Sequence, residues 1–148
     1  MTYNPQNNVL EYLYNQYSQK YHQKGFLKVQ TYTARRNFPV ADAQIEISKN
    51  FPQGKYTIGI LKTDQAGATS EIVLPAADKS LSEHPGSANA YTTFDIIIKH
   101  PSFVEVRIHN IPVFEGILSL QEVDLIPIAT APDQQKYIEY NVKEPDNL

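Results

Sequence analysis

Cysteine is absent from this chain of 148 residues. Its absence excludes disulfides and thiolate metal sites, so neither can stabilise the fold. It does not fix the compartment, because many exported proteins also contain no cysteine.

Long apolar runs are missing as well. No run approaches the roughly 20 residues that a membrane-spanning helix needs. The first residues, MTYNPQNNVLEYLYNQ, do not show the basic segment followed by an apolar segment that marks a signal peptide. We therefore expect a protein made in the cytoplasm without a signal peptide, one that can leave the cell as part of a particle released by lysis.

Basic residues are few and scattered. The chain has 13 Lys and Arg against 16 Asp and Glu, a net charge of −3, and its longest basic run is Arg35-Arg36. A nucleic-acid binder needs a clustered basic face that replaces counterions along the phosphates. The sequence therefore predicts no nucleic-acid partner.

Apolar and aromatic residues are plentiful enough for a folded core. The hydrophobic fraction is 41%, with ten Tyr and six Phe, so the chain is not of the disordered class. Its length suits one domain with short appendages.

The first segment, residues 1–24, is predicted to be a helical arm. Asn4 can cap a helix over about residues 5–22, and Pro5 suits the first helical position, where its missing N–H costs nothing. One face of this helix is apolar and rich in tyrosine: Val9, Leu10, Leu13, Tyr14, Tyr17 and Tyr21. Two placements are open, since this face can pack on the neighbouring domain or dock on another subunit.

The middle segment, residues 25–127, alternates apolar and polar residues with a period of two. Runs such as GFLKVQTYT, AQIEIS and FVEVRIHN are separated by short turns, and no crossover helix lies between them. This pattern predicts an all-β, antiparallel β-sandwich of about seven or eight strands. The more apolar run FDIIIK is expected to lie centrally in its sheet.

Four residues are predicted to shape the turns. Pro39 has no N–H for a strand ladder and suits a strand end or bulge, while Ala43 is small enough for close approach as the chain re-enters the sheet. Asp64 can accept a hydrogen bond from the backbone two residues on, and Gly67 can adopt positive φ. Residues 76–90 form a long polar loop, and loops of this length are often functional.

The last segment, residues 128–148, is predicted to be an extension with one extra strand. In KYIEYNV, Tyr137 alternates with Ile138, Tyr140 and Val142. Such a strand can close an edge of its own sandwich, or it can be donated to a neighbouring molecule.

The order of several motifs resembles the carboxypeptidase regulatory-like, or transthyretin-like, β-sandwich. The resemblance covers residues 25–127 and lies in Gly25, Pro39-Val40, residues 43–47 and residues 63–67. The second half looks like a longer variant found in clostridial spore-cortex and envelope-associated modules, with matching residues at 110–114, Gly116, Ser119 and 120–121. Ser102-Phe103 departs from that variant, which has glycine at this turn. The resemblance implies a Greek-key sandwich that is usually non-catalytic.

Enzymatic patterns are not evident. The hydroxyisourate hydrolase branch of this fold needs paired histidines and a C-terminal Tyr-Arg-Gly-Ser, whereas this chain ends in YNVKEPDNL. Its histidines (His22, His84, His100 and His109) stand in four different neighbourhoods. Those at 100 and 109 flank one strand, but strand-end histidines are mostly surface residues rather than metal ligands. We therefore predict no catalytic residue, no cofactor and no metal.

The sequence favours a structural role. A sandwich with its own helix and tail suits a subunit of a larger assembly, such as a phage tail, a tail-like particle or a filament. Its predicted partners are other protein subunits, in a homo-oligomer or a multi-protein complex. The alternative is a module that binds cell-wall glycan through the 76–90 loop and tyrosines such as Tyr32 and Tyr91.

Overall fold

The computed structural model describes residues 5–80, 91–131 and 136–142. Within them, a helix, α1 (Pro5–Lys20), precedes nine strands. The strands are β1 (Gln23–Thr33), β2 (Phe38–Pro39), β3 (Gln44–Phe51), β4 (Gly54–Lys62), β5 (Ile72–Ala76), β6 (Thr92–His100), β7 (Phe103–Val113), β8 (Leu118–Leu125) and β9 (Tyr137–Asn141). A 3-10 turn, Ile128–Thr130, follows β8. The predicted all-β sandwich with an N-terminal helix is confirmed.

The strands form two sheets. In sheet A, β1 is flanked on one side by β5 and β2, which pair with its two ends, and on the other side by β8. Sheet B has the order β4-β3-β6-β7-β9. The strand containing FDIIIK, β6, is the central strand of sheet B, as its apolar run predicts.

Strand direction differs from the sequence prediction in two places. The pairs β1–β8 and β7–β9 are parallel, whereas the other pairs are antiparallel. Alternation of side chains is the same in both arrangements, so the sequence pattern predicted the strands without their direction.

The core lies between the two sheets. Its largest fully buried side chains come from the inward-facing positions of β1, β3, β5 and β6, together with later strands: Leu27, Ile45, Ile47, Leu74, Phe94, Ile96, Ile98 and Leu125. Gly25 permits the closest approach, because a Cβ there would collide with Val113 and lie 2.7 Å from the carbonyl oxygen of Phe114. The strands that line the core therefore contribute their inward-facing residues to one cluster, whereas β2, β4 and β9 supply no fully buried side chain.

Some predicted features lie outside the described residues. They are the Asn4 cap, His84 with most of the 76–90 loop, and the last six residues. The predicted boundaries at 24 and 127 fall just inside β1 and just after β8, and β9 belongs to sheet B.

Candidate functional site

The tyrosine-bearing face of α1 packs on the chain's own sandwich. Leu10 is buried, and the ring of Tyr14 stacks on that of Tyr56 with centroids 4.8 Å apart. The ring of Tyr17 meets Phe51 and Phe94 edge-on, at centroid distances of 6.1 and 6.3 Å. Burial raises the pKa of Tyr14 to about 12. Of the two placements open from the sequence, packing on the adjacent domain is therefore the one that these side chains adopt.

The other predicted contact residues of α1 lie nearer its margins. Val9 is exposed, Leu13 is half-buried, and Tyr21 packs against Tyr17 with ring centroids 4.8 Å apart. Tyr12, on the same helix, is 61% exposed. The helix thus closes the sandwich rather than standing apart as a free arm.

The C-terminal strand also packs on its own chain. β9 adds to the edge of β7 with Ile138 opposite Val106 and Tyr140 opposite Ile108. Ile138 and Val142 are half-buried, while Tyr137 and Tyr140 are exposed. Closing its own sheet edge is the placement that the structure shows.

The predicted turn residues take part in a compact set of backbone contacts. Asp64 accepts the N–H groups of Ala66 and Ala68 at 2.9 and 3.0 Å, and Gly67 has φ +77°. Pro39 lies in the short strand β2 and Ala43 is fully buried just before β3.

A buried threonine, which sequence reasoning missed, joins these turns. Thr63 donates its hydroxyl to the carbonyl of Val40 at 2.8 Å and accepts the N–H of Ala43 at 2.9 Å. A second buried hydroxyl, that of Thr31, donates to the same carbonyl at 2.9 Å. These bonds satisfy backbone groups that would otherwise be buried without partners.

The adjacent arginines stand in a left-handed turn. Ala34, Arg35 and Arg36 have φ of 52°, 56° and 67°. Arg36 reaches back to β8, where its guanidinium pairs with Glu122 at 2.7 Å and its N–H donates to Asp124 at 3.2 Å. The turn bends the chain between β1 and β2, and both arginines are exposed.

The outer face of sheet A carries an apolar strip. Phe26 on β1 lies between Val73 on β5 and Leu118 on β8, and Leu120 lies beside Lys28 in the next row. Val73, Leu118 and Leu120 are 51%, 44% and 51% exposed. We call Phe26, Val73, Leu118 and Leu120 the sheet A strip.

The outer face of sheet B is charged instead. Glu46 pairs with Lys55 at 2.6 Å, and Glu105 accepts from Arg107 at 2.8 Å. The guanidinium of Arg107 also lies 3.8 Å from the centroid of the Tyr137 ring. Such a face is well suited to water.

A polar cluster at one end of sheet B surrounds His109. Its Nδ1 lies 3.0 Å from Asp95 Oδ2, and its Nε2 lies 2.5 Å from Glu139 Oε1. The hydrogen bond to Asp95 raises the pKa of His109, and the bond to Glu139 raises it further. Sequence reasoning read His109 as a surface residue; the available signal was Asp95, a lone acid within the apolar run FDIIIK.

The other strand-end histidine does not join this cluster. His100 packs edge-on against Phe103, and its Nδ1 accepts the N–H of Ser102 at 3.1 Å. Within the described parts of the chain, no group of three or more His, Cys, Asp or Glu residues is arranged to hold a metal ion.

Lys49 is partly buried above the core. Its ammonium lies 4.7 Å from the ring centroid of Tyr17 and donates to the carbonyl of Thr93 at 2.8 Å. Burial lowers the pKa of Lys49, while the charge of Asp95 opposes that shift.

An open cleft of about 1020 Å³ lies at the end of the sandwich where β6 turns into β7. Phe103 and the lysines at 62, 99 and 136 are among its lining residues. Lys99 lies 3.8 Å from Glu105. Nothing in the described lining resembles a nucleophile held beside a base.

Two proposed glycan contacts have different surroundings. Tyr32 is half-buried on the outer face of sheet A, opposite Asp124. Tyr91 packs against Phe114, with ring centroids 5.7 Å apart.

No helix in the described residues is long and apolar enough to cross a membrane.

Two comparisons, with known protein families and with curated proteins, find no match. No known family matches the chain. No curated protein matches it either.

Several solved structures are similar at low identity. The Bacillus anthracis TIE protein aligns with a TM-score of 0.47 and 15% identity, over 72% of this chain and 17% of that one. Catechol 1,2-dioxygenase from Pseudomonas arvilla C-1 aligns with a TM-score of 0.45 and 12% identity, over 76% and 55%. The 3-chlorocatechol 1,2-dioxygenase from Rhodococcus opacus 1CP aligns at 0.44 and 10%, over 72% and 61%. This chain spans less than two thirds of each, and TM-scores below 0.5 at 10–15% identity carry no conclusion about fold or activity.

Proposed function

We propose that this protein is a non-catalytic interaction module, a subunit of a larger assembly, and that it docks through the sheet A strip. The observation that supports this is the contrast between the two outer faces. Sheet B presents paired charges to solvent, whereas sheet A presents Val73, Leu118 and Leu120 about half exposed. A contiguous apolar patch on an outer sheet face marks an interaction surface more often than a solvated one.

The strip supplies a modest driving force. Burying a half-exposed apolar side chain completely contributes roughly 1 kcal/mol, so the strip contributes roughly 3–4 kcal/mol. Association costs about 4–15 kcal/mol in lost translational and rotational freedom. A single contact of this kind is therefore weak, and repeated contacts in an array make it strong. This favours a repetitive assembly, such as a tail-like particle or a filament.

The partner that we propose is a second copy of this chain. The strip is flanked by Lys24 at one end, beside Phe26, and by Glu122 at the other end, two residues beyond Leu120. A two-fold rotation about an axis between these ends brings Lys24 of one copy towards Glu122 of the other. A self-complementary patch of this kind makes a closed two-fold pair, so a tail-like particle or filament built from such pairs also uses a second contact elsewhere on the chain.

The contacts differ from those that the sequence suggested. Leu10, Tyr14 and Tyr17 face the chain's own core, and β9 covers its own sheet edge. The docking surface proposed here needs neither element to leave the sandwich.

We also propose that the sandwich is of the transthyretin-like type. The support is the order of the quoted motifs, in which Gly25 opens the region, Pro39 and Ala43 precede β3, and Asp64 and Gly67 form the turn that leads from β4 in sheet B to β5 in sheet A.

The test is the mass of the full chain in solution, measured by sedimentation equilibrium from the micromolar to the millimolar range, because a single strip contact is weak. We expect the wild-type chain to associate and the Leu118→Lys/Leu120→Lys variant to remain monomeric, because each lysine places a charge in the interface. Ile60→Lys is the matched control, since Ile60 is 60% exposed on sheet B. A wild-type monomer that is retained on purified cell wall, or an equal effect of Ile60→Lys, would overturn the proposal.

A further inference from the structure

His109 lies between carboxylates on the two strands that flank β7. Asp95 on β6 is 3.0 Å from its Nδ1, and Glu139 on β9 is 2.5 Å from its Nε2. Both ring nitrogens therefore face acceptors. Only the protonated imidazolium has two N–H donors, so only this form satisfies both carboxylates.

The contact between His109 and Asp95 stays the same, because several hydrogen bonds hold Asp95 in place. It is 8% exposed, and it also accepts the backbone N–H of Asn110 at 2.9 Å and an amide hydrogen of Asn50. Hydrogen bonds of this kind stabilise the ionised carboxylate. When His109 loses one proton, the remaining proton therefore stays on Nδ1, towards Asp95.

The contact between His109 and Glu139 is the one that changes when His109 loses a proton. Once Nε2 is deprotonated, its lone pair faces a carboxylate oxygen at the same 2.5 Å separation, with no hydrogen between two acceptors. An attractive contact between β7 and β9 thus becomes a repulsive one.

Other charged groups surround His109. Arg107 and Glu105 lie on β7 itself, and the hydrogen bond to Glu105 raises the pKa of Arg107, with a smaller contribution from the charge of Glu139. Lys49 on β3 faces Asp95. Burial lowers the pKa of Lys49, and the charge of Asp95 opposes that shift. Among these groups, histidine has the ordinary pKa nearest to neutral, so His109 is the group that we expect to titrate there.

β9 is lightly attached. Tyr137, Glu139, Tyr140 and Asn141 are exposed, and only Ile138 within the strand is half-buried. Beyond the ladder to β7, the contacts are the Asn110–Asn141 hydrogen bond at 2.9 Å, the Arg107–Tyr137 ring contact and the His109–Glu139 contact. Directly after the strand, Val142 donates its N–H to the carbonyl of His109 at 3.0 Å and packs against the core. The His109–Glu139 contact is therefore one of four attachments outside the ladder, and it is the one that changes when a histidine titrates.

We propose that Asp95, His109 and Glu139 form a proton-dependent clasp, which holds β9 on sheet B while His109 is protonated and releases it from the edge of β7 when His109 is neutral. The two carboxylates hold the pKa of His109 above its usual value. A raised pKa in the folded state means that the attachment is complete below the usual histidine pKa and is lost as pH rises through the folded value. Release therefore occurs on the neutral to mildly alkaline side. This inference does not depend on the proposed function.

Hydrogen–deuterium exchange of the full chain, followed by mass spectrometry across pH 5.5–9 and corrected for intrinsic exchange rates, tests the clasp. We expect protection of the peptide that contains residues 137–142 to fall about tenfold or more over the transition. Protection of the β1–β5 pair in sheet A, which has no contact with the clasp, stays constant. NMR titration of the ring protons of the four histidines gives the pKa of His109 in the same samples.

Two variants make the test specific. In Glu139→Gln, the side-chain amide can donate to neutral Nε2 or accept from the protonated ring, so protection of β9 becomes independent of pH and the pKa of His109 falls. His100→Gln, at the other end of the β6–β7 hairpin, keeps the wild-type profile. Constant β9 protection while His109 titrates, or an unchanged pH profile in Glu139→Gln, would overturn the proposal. If Glu139→Gln fails to fold, the wild-type and His100→Gln profiles against the NMR titration decide the question.

Discussion

Tyr17 offers the sharpest test of how α1 is attached. Its ring meets Phe51 and Phe94 edge-on and packs against Tyr21, and the ammonium of Lys49 lies 4.7 Å from its centroid. Burial raises the pKa of Tyr17, which is consistent with a phenol held away from water. Phe94 is a fully buried core residue, so removal of the Tyr17 ring opens the core to solvent.

The magnitude follows from these contacts. Truncation of a buried aromatic side chain to alanine costs about 3–5 kcal/mol, and each favourable ring pair contributes about 0.5–1.5 kcal/mol of additional stability. Tyr17 is only partly buried, so the lower end applies, and we expect Tyr17→Ala to destabilise the protein by about 3 kcal/mol. For a chain of this size that corresponds to a decrease of about 6–12 °C in melting temperature.

The assay is urea unfolding followed by circular dichroism, which gives the free energy of unfolding and its m-value. Tyr12→Ala is the matched control, because it makes the same chemical change on the same helix at a side chain that is 61% exposed. We expect this control to change stability by less than about 1 kcal/mol. If the two variants cost the same, α1 does not close the core, and the helix face is free for another molecule.

Two further predictions concern the turns. Gly67→Ala should cost more than Gly116→Ala in the free energy of unfolding: both glycines have positive φ, but only at Gly67 would a Cβ collide with a backbone carbonyl of β1, whereas the space at Gly116 is open. Thr63→Val should destabilise by about 1–3 kcal/mol, because it leaves the buried N–H of Ala43 without its acceptor and removes the bond to Val40, and amide exchange at Ala43 measured by NMR should accelerate. An unchanged exchange rate at Ala43 would show that another group satisfies this N–H.

The strands could be predicted from the sequence because each strand depends only on a local pattern of residues. In β1 the alternation of Leu27 and Val29 with Phe26 and Lys28 fixes which side chains share a face. The more continuously apolar run FDIIIK predicted the central strand of a sheet. The left-handed turn at Ala34–Arg36 was not predictable, since none of these residues favours positive φ.

The candidate functional surfaces were harder to predict from the sequence. The sheet A strip joins Val73, Phe26 and Leu118 from three strands, and nothing local in any of them shows that the outward residues form one patch. The clasp likewise depends on Asp95 and His109, which are distant from Glu139 in sequence.

By itself, the sequence determined that the chain forms strands, which residues alternate inwards, and that a helix with an apolar face precedes them. Only the tertiary structure decided that Tyr17 closes the core, that β1 pairs with β8 and β7 with β9 in parallel, and that β9 lies on its own chain. The physical reason is the sequence separation of the interacting residues. Strand alternation and helix periodicity are set by neighbouring residues. Strand partners, sheet edges and the side chains that meet across them are set by contacts between residues far apart in the chain.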